Sequence, residues 1–194
     1  RSFMTGTSSR PVLLKLDFAN AFNTLRRDHM IQTVSDLVPE MHHLIDSVYS
    51  TTSDLFYDGV IIKSSSGIQQ GDPLGPALFC LGVKEMVDSL TSPLNLWYLD
   101  DGCLGGELEN IVSDVRRVMR FGDRSSLRLN CDKCEICVDS LQDDDKEQAI
   151  QLIRQLLPGC RVVHRANLEL LGAPVFEEGV TPALERKLNR VEPM

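Results

Sequence analysis

The amino-acid sequence predicts an α+β fold, an antiparallel sheet with helices packed on one face. Three observations predict it. Two apolar runs, PVLLKLDF (11–18) and LNLWYL (94–99), read as buried strands. Two turn signals, Asp58-Gly59 and Asp100-Asp101-Gly102, each lie between apolar arms. Between the strands, apolar residues recur at helical spacing. With 194 residues, 42% of them hydrophobic, the chain can fill one core and is short for two, so a single domain over 1–194 is expected.

Taken in order, residues 1–10 (RSFMTGTSSR) are polar and rich in Gly, Ser and Thr, and read as a loop. The first strand follows and ends near Asp17. NAFNTLRRDHMIQTVSDLV then sets Leu25, Met30, Ile31, Val34, Leu37 and Val38 near helical spacing, with Pro39 closing the helix. A second short helix is predicted over 40–49. LFYDGVII (55–62) is a hairpin around Asp58-Gly59, the dipeptide preferred in a type I′ turn. GIQQGDPLGPALF (67–79) is a Gly/Pro-punctuated loop leading into an apolar helix to about residue 90, which tolerates Pro73 and Pro76 only in its first turn.

LNLWYLDDGCLGG reads as strand, Asp-Asp-Gly turn, strand, with the acidic pair at the tip. Residues 107–121 carry Ile111, Val112, Val115, Val118 and Met119 on one face of an amphipathic helix. LRLNCDKCEICV is loop then strand. The helix over 143–157 starts with three acids, as its dipole favours, and Gly159 ends it. CRVVH and LELLGAPV are two further short strands, and TPALERKLNRV begins a last, basic helix.

Composition narrows the function. The net charge of −8 is the reverse of a module that holds nucleic acid by phosphate contacts alone. It fits a catalytic piece whose basic flanks lie elsewhere. No apolar run approaches the roughly 18 residues that span a bilayer, and no secretion signal opens the chain, so an intracellular protein with no membrane partner is expected. Its six cysteines then read as reduced thiols. Cys131-x-x-Cys134-x-x-Cys137, with His164 beyond, has ligand-like spacing. However, it is a single run with Lys133 inside it, and Ile136 and Val138 alternate as in a strand. It reads as half-buried thiols rather than zinc. The first residue, Arg1, suggests a fragment or processed chain, truncated at both ends.

The acidic pair raises a chemical question. Asp17 also ends a buried strand, and if that strand neighbours the 94–105 hairpin, Asp17, Asp100 and Asp101 converge. Three carboxylates repel unless a cation neutralises them, and oxygen-only ligands suit Mg²⁺ or Mn²⁺. On Asp-Asp-Gly alone a plain turn is the simpler explanation.

The surrounding segments change that balance. LKLDFANAF (within 13–23), GIQQGDPLGPALF (67–79) and WYLDDG (97–102) resemble motifs A, B and C of reverse transcriptases. NCDKCEI (within 128–136) looks like motif D, and ELLGAPV (169–175) like motif E, the primer-grip region. The wording of motif B is most similar to eukaryotic non-LTR retrotransposon enzymes; telomerase and group II intron proteins share the core but match it less well. The resemblance implies a right-hand polymerase palm with fingers and thumb incomplete, acting as an RNA-directed DNA polymerase on an RNA template, a DNA primer and dNTPs. A nuclear location follows if the parent is an active retrotransposon.

Carried over residue by residue, the resemblance implies that Asp17, Asp100, Asp101 and the Phe18 carbonyl hold two Mg²⁺ ions, with Mn²⁺ as a possible substitute. Asn20 and Ala21 would offer backbone N–H groups to the triphosphate. Phe22, five residues after Asp17, would exclude a ribose 2′-hydroxyl; alternatively it is the first core residue of the following helix. Gln70 and Gly71 would lie over the nucleotide and template base, where glycine permits close backbone approach. Tyr98, Leu171 and Gly172 would contact the primer, or serve packing and turns only. Lys133 would give a proton to the leaving pyrophosphate, or is a surface lysine.

Leu99 departs from the commoner alanine of this motif and is expected to pack under the hairpin. Two other readings stay open: a catalytically silent relic or nucleic-acid-binding module that kept the fold, and an RNA-dependent RNA polymerase.

Overall fold

The computed structural model describes residues 11–189. Along the chain run β1 (Pro11–Asp17), α1 (Ala21–Thr24), α2 (Arg27–Leu37), α3 (Pro39–Tyr49), β2 (Ser53–Tyr57), β3 (Val60–Ser64), α4 (Gly75–Ser89), β4 (Leu94–Tyr98), β5 (Asp101–Glu107) and α5 (Leu108–Ser125). There follow β6 (Glu135–Cys137), α6 (Asp143–Leu156), β7 (Arg161–Val162), β8 (Glu169–Leu170), β9 (Ala173–Pro174) and α7 (Val180–Asn189). The predicted loop over 1–10 and the end of the predicted last helix, 190–191, lie outside the described residues. Among the described residues no helix is long and apolar enough to cross a membrane.

Where the sequence reads as one domain, the chain groups into two compact units. One holds the described residues up to Asp17, Thr91–Arg116 and those from Asn130 on; the other holds Phe18–Leu90 and Arg117–Leu129.

The first unit is built on a five-stranded sheet of order β4-β5-β1-β6-β7, antiparallel except for the β6–β7 pair. Because side chains alternate along a strand, the register sorts β1 into two faces. Val12, Leu14 and Leu16 are fully buried, and Leu14 lies between Leu104 and Ile136, both also fully buried. That face is apolar along β1, β5 and β6, with Asn95 on β4 as the polar neighbour of Leu104. The opposite face carries Leu13, Lys15 and Asp17, with Cys103 and Asp101 on β5 and Cys137 and Glu135 on β6. At one end of this mixed face, Leu13, Cys103 and Cys137 form a small core with Leu168 and Phe176. At the other end the face turns polar.

In the second unit the predicted helix from Asn20 to Val38 is two helices. Leu25 takes an extended conformation (φ −53°, ψ 127°), as does Arg26 (φ −62°, ψ 127°). Leu25 is thereby buried to 1% exposure, and the Arg26 N–H donates to the Ser125 carbonyl at 3.0 Å. Tertiary burial of Leu25 overrides an apolar period that runs on through the break. β2 and β3 form the predicted hairpin with both turn residues left-handed, Asp58 at φ 47° and Gly59 at φ 75°. Its apolar arms are exposed.

Three short segments differ from the expectation. LELLGAPV is a hairpin, β8–β9, turning at Leu171 (φ 50°) and Gly172 (φ 74°), rather than one strand. The thiol run forms a strand only over Glu135–Cys137, with Cys134 and Cys137 buried. The turn between β4 and β5 is Leu99-Asp100, since Tyr98 pairs with Asp101. Asp101 therefore opens a strand. Gly102 is a strand residue facing Trp97, and a Cβ there would meet the Trp97 ring at 2.6 Å, so the indole fills the space that glycine leaves.

Candidate active site

The polar end of the mixed sheet face gathers Asp17, Asp101 and Lys133. Asp17 stands directly across the β1–β5 ladder from Asp101, an arrangement of like charges that destabilises a sheet unless something neutralises it. Asp100 sits beside them in the turn. One carboxylate oxygen of Asp17, Oδ1, is buried without a hydrogen-bond partner. The Lys133 ammonium lies 3.7 Å from it, close enough for attraction and too far for a hydrogen bond.

Burial pushes the Asp17 carboxyl up from its ordinary value; Lys133 opposes the rise, Asp101 and then Asp100 add to it, and Lys15 opposes it weakly. The Asp17 carbonyl, by contrast, is satisfied by the Asn130 N–H at 2.8 Å. The turn that brings Lys133 here is closed by its own N–H on the Asn130 carbonyl, 2.9 Å.

These donors are of the right type for a hard cation. A buried orphan oxygen faced by a second carboxylate is relieved by a proton or by a hard cation. Among the described residues, though, no three side chains of metal-ligating type are drawn close enough together to hold an ion. Asp100 does not complete a closed ligand set with the other two.

The turn that carries Asp100 is strained. Leu99 is half-buried and holds φ 55°, a conformation that costs a non-glycine residue about 1–2 kcal/mol. A two-residue hairpin loop needs a left-handed residue at this position, and Leu99 supplies it.

Next to Asp101 an apolar cleft of about 270 Å³ is lined by Leu96, Trp97, Tyr98, Leu170 and Leu171, with Lys15 at its edge. The structure thus brings Tyr98 and Leu171, two of the three predicted primer contacts, to one surface. Both are 62% exposed. Gly172 is engaged differently, its carbonyl accepting from Lys187 Nζ at 2.8 Å. Lys15 falls inside motif A without a role there, and Leu96 lies outside the motifs. The alternation of Lys15 and Asp17 against Val12, Leu14 and Leu16 was the available clue. Lys15 also lies 3.7 Å from Glu135, whose other partner is Arg161 at 2.5 Å.

The remaining candidates belong to the second unit. Phe18 is buried and bridges Leu129 as an isolated β pair. Asn20 is left-handed (φ 52°) and starts α1, where a helix supplies no acceptors for its first N–H groups; Ala21 is buried beside it. Phe22 is half-buried and stacks on Phe79, ring centres 4.8 Å apart and planes 13° apart. Phe22, Gln70 and Gly71 line one cleft of about 390 Å³ with Gln69 and Asp72. Phe22 is thus packed against Phe79 on one side and lines the cleft on the other. At Gly71 the backbone holds φ 90°, which favours glycine, and the space beside its Cα is open.

Sequence reasoning missed what fixes this loop. The guanidinium of Arg27, 8% exposed, donates to the Gly67 carbonyl (2.8 Å), the Ser64 carbonyl (2.9 Å) and Ser64 Oγ (2.9 Å), and lies over the Tyr49 ring at 5.2 Å. The Tyr49 hydroxyl donates to Asp72 Oδ2 and receives the Gln69 N–H at 3.3 Å. Burial, helped by the Asp72 carboxylate, pushes Tyr49 up to about 12. Asp72 Oδ1 in turn accepts the Leu74 N–H just ahead of α4. The partners are 20 or more residues apart, so no local pattern announces them.

The model of the family described as reverse transcriptase (RNA-dependent DNA polymerase) matches residues 2–175. No curated protein sequence matches. Among solved structures, the chain is similar to telomerase from Candida albicans, solved in complex with the TWJ fragment of telomeric RNA. The identity is 12% and the TM-score 0.47, over 69% of this chain and 28% of that one. The chain thus spans little more than a quarter of that protein's length.

Proposed function

The chain belongs to the reverse transcriptase family, and from that premise we propose that it is the palm of an RNA-directed DNA polymerase that transfers nucleotides from dNTPs to a primer 3′-hydroxyl on an RNA template. The observation that carries the reading is Asp17. It is a carboxylate with a buried, unbonded oxygen, set across the ladder from Asp101 and beside the turn of Asp100. That arrangement is unfavourable for a structural turn and useful for holding a cation.

Asp17, Asp100, Asp101 and the Phe18 carbonyl would hold two Mg²⁺ ions, which supply charge neutralisation for the triphosphate and for the attacking oxygen. In the transfer, the primer 3′-oxygen bonds to the α-phosphorus as the bond to pyrophosphate breaks. Lys133, 3.7 Å from Asp17 Oδ1, would give a proton to the leaving pyrophosphate. Asn20 and Ala21 offer N–H donors to the triphosphate. Phe22, braced by Phe79, excludes a 2′-hydroxyl from the sugar site, and Gln70 and Gly71 contact the nucleotide. Tyr98 and Leu171, with Gly172, form an apolar seat for the primer end. The wording of motif B supports a non-LTR retrotransposon origin.

Primer extension on an RNA template with Mg²⁺ and dNTPs, using the full-length parent, tests this. Incorporation that disappears in Asp101→Asn is expected, and no incorporation with either metal would overturn it. A second reading, a nucleic-acid-binding module without catalysis, is favoured by one observation: no three metal-ligating side chains are gathered among the described residues. It predicts RNA binding by the parent with no extension.

A further inference from the structure

In the second unit, a cleft of about 510 Å³ lies between the end of α4 and the second half of α5, lined by Arg117, Arg120 and Arg124 together with Phe121, Ser89 and Glu85. None of these residues belongs to the five motifs, and the catalytic reading uses none of them. We propose that this cleft is a docking site for the phosphate backbone of a single-stranded RNA.

Three features carry the inference. The first is charge. In a chain of net charge −8, three guanidinium groups face this one cleft against a single carboxylate, Glu85, and that carboxylate meets Arg124 at 3.3 Å with both side chains largely exposed. So exposed a pair is weak and yields readily to a competing phosphate. The second is spacing. Arg117, Arg120 and Arg124 fall at i, i+3 and i+7 on one face of α5, about 4.5 and about 6 Å apart along the axis, which suits successive phosphates of one strand. The third is chemistry. Arginine presents a planar fork that matches phosphate oxygens in pairs. Arg124 also lies 5.8 Å over the Phe121 ring, which limits the rotamers it must give up on binding. Met86 and Phe121 add apolar lining between the guanidiniums.

The inference rests on the polymerase reading only for the choice of RNA as probe. The test is fluorescence anisotropy of a labelled single-stranded RNA with the whole chain across a salt series. The triple variant Arg117→Gln, Arg120→Gln, Arg124→Gln is expected to bind at least tenfold more weakly at low salt. Its slope of log affinity against log salt should be shallower by about 2. Asp58→Asn, in the β2–β3 turn, should keep both wild-type values. If the triple variant does not melt cooperatively, Arg120→Glu at an exposed position serves instead, with a smaller change in the same direction. Unchanged affinity and slope in either variant would overturn the proposal. So would polyglutamate competing as well as RNA, which would reassign the cleft to an acidic protein surface. An inactive parent whose RNA binding still depends on these arginines would sink the polymerase reading and leave this one standing.

Discussion

The β2–β3 and β4–β5 hairpins are closed by two-residue loops with the same left-handed start, and they differ in what occupies it. Asp58-Gly59 puts there the residues that tolerate φ of 47° and 75°. Leu99-Asp100 puts a leucine at φ 55° and follows it with two acids, the second of which faces Asp17. The first loop is chosen for its own stability and supports an exposed apolar ribbon, with Phe56 at 78% and Tyr57 at 74% exposure. The second holds backbone strain and charge repulsion together, and its supporting strand has no slack: Gly102 lies against the Trp97 ring and Leu104 is fully buried. Local cost concentrated at one loop, on a rigid scaffold, is what a functional loop tolerates and a structural one avoids, and it supports the role proposed for Asp100 and Asp101.

The largest way to break this comparison is to remove a carboxylate. Asp101→Asn should lower primer extension by the parent roughly a thousandfold, about 4 kcal/mol of transition-state stabilisation, while the matching change Asp58→Asn leaves extension unaltered. Steady-state kinetics of the two variants side by side checks it.

Next in size is Arg27→Met. It strands three acceptors at Gly67 and Ser64 and should cost about 2–3 kcal/mol of stability, read as a lowered urea midpoint. Extension should fall further than stability explains, because the loop bearing Gln70 loses its anchor. Phe22→Val should raise incorporation of rNTPs relative to dNTPs by about tenfold or more, measured by competition in the extension assay. If selectivity is unmoved, Phe22 is packing against Phe79 and nothing else.

The smallest effects compare the turns directly. Gly59→Ala should destabilise by about 1 kcal/mol, and Leu99→Gly should stabilise or be neutral, because one adds a Cβ at positive φ and the other removes it. Denaturant melts of both variants decide whether the strain at Leu99 is real.

The Asp-Gly hairpin was legible in the sequence because its turn obeys the local rules, and β1 because a leucine-rich run ended in an acid. The acidic triad and the five motifs were legible as wording. The turn at Leu99 was not, since no propensity argument places leucine at positive φ. Gly102 was misread as a turn glycine because its role, leaving room for Trp97, depends on strand pairing. The break at Leu25-Arg26 is hidden by an uninterrupted apolar period. The Arg27–Tyr49–Asp72 network joins residues far apart in sequence. Lys15 could have been found: it shares with Asp17 the face that Val12, Leu14 and Leu16 do not.

The pH dependence of stability follows from Asp17. Its folded pKa is raised, so in the metal-free protein the folded state binds this proton more tightly than the unfolded state does. The associated stabilisation is full below the ordinary value of 3.8 and is lost as pH rises through the raised folded value. Asp17→Asn should remove that slope and leave metal-free protein at pH 7 at least as stable as wild type.

The most direct measurement is the melting temperature of wild type and Asp17→Asn at pH 7, each with 10 mM Mg²⁺ and with chelator. If the carboxylates are set to hold a cation, Mg²⁺ at ten times its dissociation constant adds about 1.4 kcal/mol, a rise of about 3–6 °C in wild type. Asp17→Asn should show little or none. Equal melting temperatures for wild type with and without Mg²⁺ would contradict the account.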